Sequence, residues 1–237
     1  MSDFKISLGV KVLDEVLSSA EEYVVLLYGP VGSGKSLIVK KLAEQVIKSG
    51  KEVVYSAFEE DPRKVKRWFA QKDTSTLNRL KIVNYFSDGV KDPDIIQGSD
   101  VISDLRSLVT DITGLIIIDS MNELTLRYDV NQLVQFIKGV SSIIYGKGAL
   151  ALFTYNSVSQ ELDVSLELVK FLFDGLIQLN VEPIPNTVIR SLRIERFKGV
   201  RVDSGWYFFA INEKGDLEGV DASSIVSLIR SLQSQQM

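Results

Sequence analysis

The chain has 237 residues, 45% of them hydrophobic, enough to bury one sizeable core as one large domain or two small ones. Lys and Arg total 27 against 31 Asp and Glu, and the resulting net charge of -4 has the wrong sign for a protein whose whole surface grips nucleic acid. Cysteine and histidine are both absent, which excludes disulfides, thiolate zinc sites, cysteine nucleophiles and the commonest general base; catalysis must rest on carboxylates, Lys, Arg, hydroxyls and a hard cation.

In chain order, Val10, Leu13, Val16 and Leu17 fall at helical spacing and predict a short amphipathic helix. Tyr23 to Tyr28 reads as a buried strand running into Gly29-Pro30, and the apolar spacing from Ser36 to Lys48 predicts a helix that stops at Ser49-Gly50. A strand over Glu52 to Phe58 is followed by Glu59-Glu60-Asp61-Pro62, with the proline placed for the first turn of a helix reaching Ala70. Further along come a strand at Leu80 to Phe86, a helix at Asp100 to Ile112 and a buried strand at Leu115 to Asp119 that ends in a carboxylate. They are followed by a helix at Asp129 to Tyr145, a strand at Leu150 to Tyr155, a helix at Leu162 to Phe173 and a strand at Leu176 to Asn180.

Apolar strands alternating with helices imply an α/β fold with a mostly parallel sheet flanked by helices. After Pro183 and Pro185 the runs Val188 to Phe197 and Trp206 to Ile211 predict a C-terminal antiparallel hairpin at a sheet edge, and Ala222 to Leu232 a closing helix. Hydrophobic segments recur evenly with no linker between them, so one domain over residues 1–237 is expected. Apolar runs fall far short of the roughly 18 residues a membrane span needs, and no export leader opens the sequence; no membrane partner and a cytoplasmic location are expected.

Gly29-Pro30-Val31-Gly32-Ser33-Gly34-Lys35-Ser36 matches G-x-x-x-x-G-K-[ST] completely. The glycines let consecutive backbone N–H groups turn inward as an anion nest, and the following helix adds its positive N-terminal end. Lys35 is expected to reach the β- and γ-phosphates of ATP, and Ser36 to ligate Mg²⁺. Asp119, at the tip of an apolar strand, fits the second acidic element that orients the metal's shell. Because Ser120 and not a glutamate follows it, the water-activating carboxylate must lie elsewhere or be missing. Glu59 and Glu60, at the C-terminal end of the second strand, are the candidates.

With the glutamate displaced to that strand, the chain resembles the RecA-like P-loop ATPases, most closely their KaiC-like and archaeal RadA-paralogue branch. Ile6 to Leu17 (I-S-L-G-V-K-V-L-D-E-V-L) is similar to the branch's opening motif, Ser56 to Pro62 (S-A-F-E-E-D-P) to its S-F-E-E-S-P, and Ile116 to Ser120 to its hydrophobic-Asp-Ser strand. Arg196-Phe-Lys198-Gly199, Gly205-Trp-Tyr-Phe-Phe and Ile211 to Gly215 resemble its basic-x-basic-Gly hairpin and terminal turn. The segment Ser18 to Glu22 replaces the glycine-rich run that usually precedes the P-loop strand.

The resemblance implies a Mg²⁺-dependent ATPase in which Glu60 or Glu59 is the catalytic glutamate. It also makes Arg196 and Lys198 candidates to reach the ATP of a neighbouring subunit in a homo-oligomer. Two uses of the nucleotide follow. One is a role accessory to DNA recombination and repair, with single-stranded DNA and a recombinase as partners; Arg63, Lys64, Lys66 and Arg67 beside Trp68 and Phe69 offer a small basic, aromatic patch, although a helix with basic outer positions and an aromatic core face has the same pattern and is the reading favoured for this segment. The other is a nucleotide-dependent switch or scaffold acting on a protein. No N-K-x-D guanine-reading motif is present, which favours ATP over GTP.

Overall fold

The computed structural model describes residues 5–157, 164–185 and 187–234. The elements are α1 (Lys11–Ser18), β1 (Val24–Gly29), α2 (Lys35–Lys48), β2 (Glu52–Ala57), α3 (Pro62–Lys72), β3 (Leu80–Asn84), β4 (Ile95–Gln97), α4 (Val101–Leu108) and β5 (Thr113–Asp119). They continue with α5 (Asn122–Arg127), α6 (Val130–Ile144), β6 (Leu150–Asn156), α7 (Val164–Val169), β7 (Gly175–Ile184), β8 (Thr187–Phe197), β9 (Tyr207–Ile211), β10 (Leu217–Val220) and α8 (Ala222–Ser234). Ten strands form one sheet in the order β10-β9-β8-β7-β1-β6-β5-β2-β3-β4. From β7 to β4 every neighbouring pair is parallel, and β8, β9 and β10 extend the β7 edge in antiparallel fashion.

The central strands are buried along their whole length because both faces are covered, the condition under which a strand reads as a continuous apolar run. Alternation then assigns each side chain to a layer. Leu115 and Ile117 of β5 join the cluster under α1, α2 and α3, whereas Ile116 and Ile118 join the one under α4 to α7. Asp119, next in the alternation, is therefore delivered to the α2 face. Local signals start the helices where they are found: Pro62 follows the N-cap Asp61 at α3, and Asp129 and Gln132 form a capping box at α6.

The structure departs from the sequence reading in several places. The helix expected over Asp100 to Ile112 ends at Leu108, because Val109 is extended and the backbone N–H of Thr110 donates to Thr113 Oγ1. The strand expected at Leu176 to Asn180 runs through Pro183, paired with β8 as far as Thr187; beyond Gln178 its other side no longer pairs with β1, and such an edge accommodates proline. Helix α7 with its following 3₁₀ turn (170–172) covers part of the helix expected from Leu162, a residue outside those described. Strands β4 and β10 and helix α5 were not expected.

The motif Ile6 to Leu17 has a structural explanation. Asp14 Oδ1 accepts from Leu8 N at 2.6 Å and Oδ2 from Gly9 N at 3.3 Å, folding the entry to α1 into a turn. The Gly9 carbonyl then accepts from Gly219 N of β10 at 2.9 Å, so the first described segment clasps the last strand.

Phe153 of β6 sits edge-on to both Phe136 and Phe173 at 6.1 and 5.4 Å and is fully buried, joining sheet, α6 and the segment before β7. Phe153→Ala is expected to cost about 3–5 kcal/mol of stability, measured by urea unfolding; a loss under 1 kcal/mol would mean this layer is not packed as described.

Candidate functional site

At Gly29 β1 passes so close to β7 that a Cβ would stand 2.2 Å from the Leu179 carbonyl oxygen, and φ is +152°, so glycine is required where the loop departs. The loop then runs through Pro30, the exposed Val31, Gly32 and the buried Ser33 to Gly34, which N-caps α2 in a left-handed conformation. Lys35 opens the helix, nearly buried, and its Nζ donates to the carbonyls of Gly29 and Pro30 at 2.8 Å each and to Ser33 Oγ at 3.3 Å. Burial lowers its pKa to about 8, against the opposing fields of Glu59 and Asp119. Ser36 follows on the exposed side of the first turn.

Asp119 lies at the end of β5, between β6 and β2, and each neighbour supplies it a hydroxyl. Thr154 Oγ1 donates to Oδ1 at 2.5 Å, and the fully buried Tyr55 phenol donates to Oδ2. Burial, with the Asp119 carboxylate next, pushes the Tyr55 phenol well above its usual value, so it remains a donor. Ser36 and Asp119 line one cavity of about 450 Å³, together with Lys40, Glu59, Glu60 and Phe86. A hydroxyl and a carboxylate are hard oxygen donors of the kind Mg²⁺ takes, two protein groups being enough for an ion that keeps several waters and bridges phosphates.

The two glutamates separate. Glu59 Oε2 accepts from Asn156 Nδ2 of β6 at 2.6 Å, and Asn156 is in register with Gly29 where the loop departs, so Glu59 stands on the loop side. Glu60 is paired with Lys40 of α2 at 2.5 Å. Asn156 went unnoticed in the sequence, although it ends an apolar strand just as Asp119 does. Arg190 also went unnoticed: from β8 its Nε donates to the Gly32 carbonyl at 3.2 Å, a contact across 158 positions that nothing in the local sequence announces. Phe209 and Ile211 of β9 stand 3.6–3.7 Å from where a Cβ on Gly34 would be, so the antiparallel extension packs beside the glycine loop.

Arg196 and Lys198 lie elsewhere. Arg196 pairs in register with Leu176, itself opposite Leu26, three residues or about 10 Å along β1 from Gly29. Its Nη2 donates to the carbonyls of Lys170 and Phe173 at 3.0 and 2.7 Å. Lys198 pairs with Asp174 at 2.7 Å, close to where β1 begins. Both are thus set back from the chain's own phosphate loop. On α3, Arg63 pairs with Asp61, Lys66 with Asp92 and Asp94, and Phe69 is buried with Trp68 packed against the core, so the basic, aromatic patch is partly neutralised and its rings face inward.

A complete glycine loop entering a helix, beside a clamped acidic strand end on a mostly parallel sheet, defines a RecA-like P-loop protein. The family model described as "ATPase: KaiC" matches residues 6–217, and the chain belongs to that family. It is 26% identical over 226 residues to the circadian clock oscillator protein KaiC of Rippkaea orientalis, covering 90% of this chain and 42% of that protein. The chain therefore spans about two fifths of such KaiC relatives. The UPF0273 protein PH0284 of Pyrococcus horikoshii is 24% identical over 228 residues, covering 89% of this chain and 92% of the relative. Among solved structures, the KaiC-like protein PH0186 of Pyrococcus horikoshii superposes with a TM-score of 0.67 over 92% of this chain and 99% of its own, at 16% identity, a likeness of fold. No helix among the described residues is long and apolar enough to cross a membrane.

Phosphates arriving beside Lys35 favour its charged form, so its pKa rises from about 8. Near pH 8 nucleotide binding is then expected to take up a fraction of a proton, roughly half at most, and affinity is expected to weaken as pH rises further. Calorimetry at pH 8 in two buffers of different ionisation heat reads this uptake directly; equal apparent heats would contradict it.

Proposed function

We propose that residues 1–237 form one ATPase domain that binds Mg-ATP on Gly29 to Ser36, hydrolyses it slowly, and uses the nucleotide state to set the affinity of a protein partner in the cytoplasm. The observation that carries this reading is the convergence of the glycine loop, Ser36, Asp119 and Glu59 at one end of the sheet. In this reading Lys35 and the loop amides hold the β- and γ-phosphates, and Ser36 and Asp119 are the residues that would hold Mg²⁺. When bound, the ion neutralises phosphate charge.

Glu59 orients a water in line with the γ-phosphorus. The water oxygen forms the new bond as the bond from the γ-phosphorus to the β,γ-bridging oxygen breaks, its proton passes toward the carboxylate, and ADP and phosphate are released. Asn156 keeps the Glu59 carboxylate in place. Glu60, its carboxylate engaged by Lys40, is the less direct of the two glutamates. Arg196 and Lys198, too far back to serve their own loop, act on the nucleotide of an adjoining copy in a homo-oligomer, where positive charge stabilises the transferring phosphoryl group.

Phosphate release from Mg-ATP tests this reading. Glu59→Gln is expected to leave binding intact and to slow release by about 10²–10⁴-fold, and turnover per chain is expected to rise with protein concentration as copies assemble. Unchanged release in Glu59→Gln would remove the assigned base. Salt-sensitive binding of single-stranded DNA that responds to nucleotide in the same samples would replace the protein-directed switch with the recombination role.

A further inference from the structure

Lys40 lies one turn beyond Ser36 on α2, at the i, i+4 position, so the two side chains share a face of that helix. Its side chain is only 9% exposed, and its ammonium meets Glu60 Oε2 at 2.5 Å. The glycine-loop motif asks for no lysine at this position. A cation buried to this degree is costly unless a carboxylate matches it, so the pair fixes Glu60 against α2. On its other side the corner between β2 and α3 is tied to β5, where Phe58 N donates to the Asp119 carbonyl at 2.8 Å.

We propose that Lys40 is a positioning residue. By holding Glu60 against α2, it fixes the corner that carries Glu59 relative to Ser36, which rides on the same helix; the inference rests on Glu59 being the water-orienting group.

Phosphate release and Mg-ATP affinity, measured on Lys40→Met, Lys40→Arg and the double variant Lys40→Met/Glu60→Gln, test this. Lys40→Met is expected to keep affinity while release at saturating nucleotide falls on the order of 10- to 100-fold, the scale of a misplaced reacting group. Lys40→Arg is expected to restore most of the rate, and the double variant to be no slower than Lys40→Met, because the two residues act as a unit. Wild-type turnover in Lys40→Met, or affinity and turnover falling together without rescue by arginine, would overturn the proposal.

Hydrogen exchange at residues 58–61 reads the anchor without turnover, so it separates this inference from the ATPase reading, which fails by itself if the unaltered protein releases no phosphate. Exchange is expected to be several-fold faster in Lys40→Met and near the original in Lys40→Arg. Equal exchange in all of them counts against the anchor, whatever the turnover.

Discussion

The carboxylate of Asp119 is held by Thr154 from one neighbouring strand and Tyr55 from the other, and the site is built around that clamp. It depends on sheet order: β5 lies between β6 and β2, so three strands end at one level and each brings a polar group to the face that α2 covers. The two hydroxyls take the place of solvent for a buried charge, which is tolerated there because both oxygens are hydrogen-bonded. Asn156, the last residue of β6, and Glu59, just past the end of β2, extend the same row. A parallel sheet presents its ligands at the carboxyl ends of its strands, and here that geometry supplies the candidate metal ligand and the candidate base together.

The antiparallel extension adds a second constraint. Arg190 reaches the Gly32 carbonyl, and Phe209 and Ile211 pack beside Gly34, so β8 and β9 flank the phosphate loop. Lys41 of α2 pairs with Asp216 in the turn leading to β10, and Gly9 bonds to Gly219 of that strand. The first described segment and the last strand are thus tied to each other, and the turn before that strand is tied to α2. Arg196 and Lys198 stand at the opposite end of β8, where Arg196 bonds the backbone ahead of β7 and Lys198 bonds Asp174. One hairpin thus contacts its own loop through Arg190 at one end and holds Arg196 and Lys198 away from it at the other.

The parts legible in the sequence are those with local causes. The buried strands are continuous apolar runs, Gly29 to Ser36 is a contiguous motif, and Asp119 ends a run that alternation places on the α2 face. Glu59 and Glu60 were legible as a pair, but their separate partners were not, because Asn156 and Lys40 lie 97 and 20 positions away. Strand β4 is three residues long and α5 six, too short for periodicity to register, and β10 owes its place to pairing with β9 and the clasp from Gly9. The motif over Ile6 to Leu17 was legible as a resemblance; the turn built on Asp14 gives it a physical cause.

The most direct test of the central claim is a calorimetric titration of Mg-ATP into the protein and into Lys35→Ala. Saturable binding by the unaltered chain, lost in Lys35→Ala and weakened when the metal is chelated, is the expected result. Equal affinity in the two proteins would contradict the assignment of the nucleotide to the loop Gly29 to Ser36.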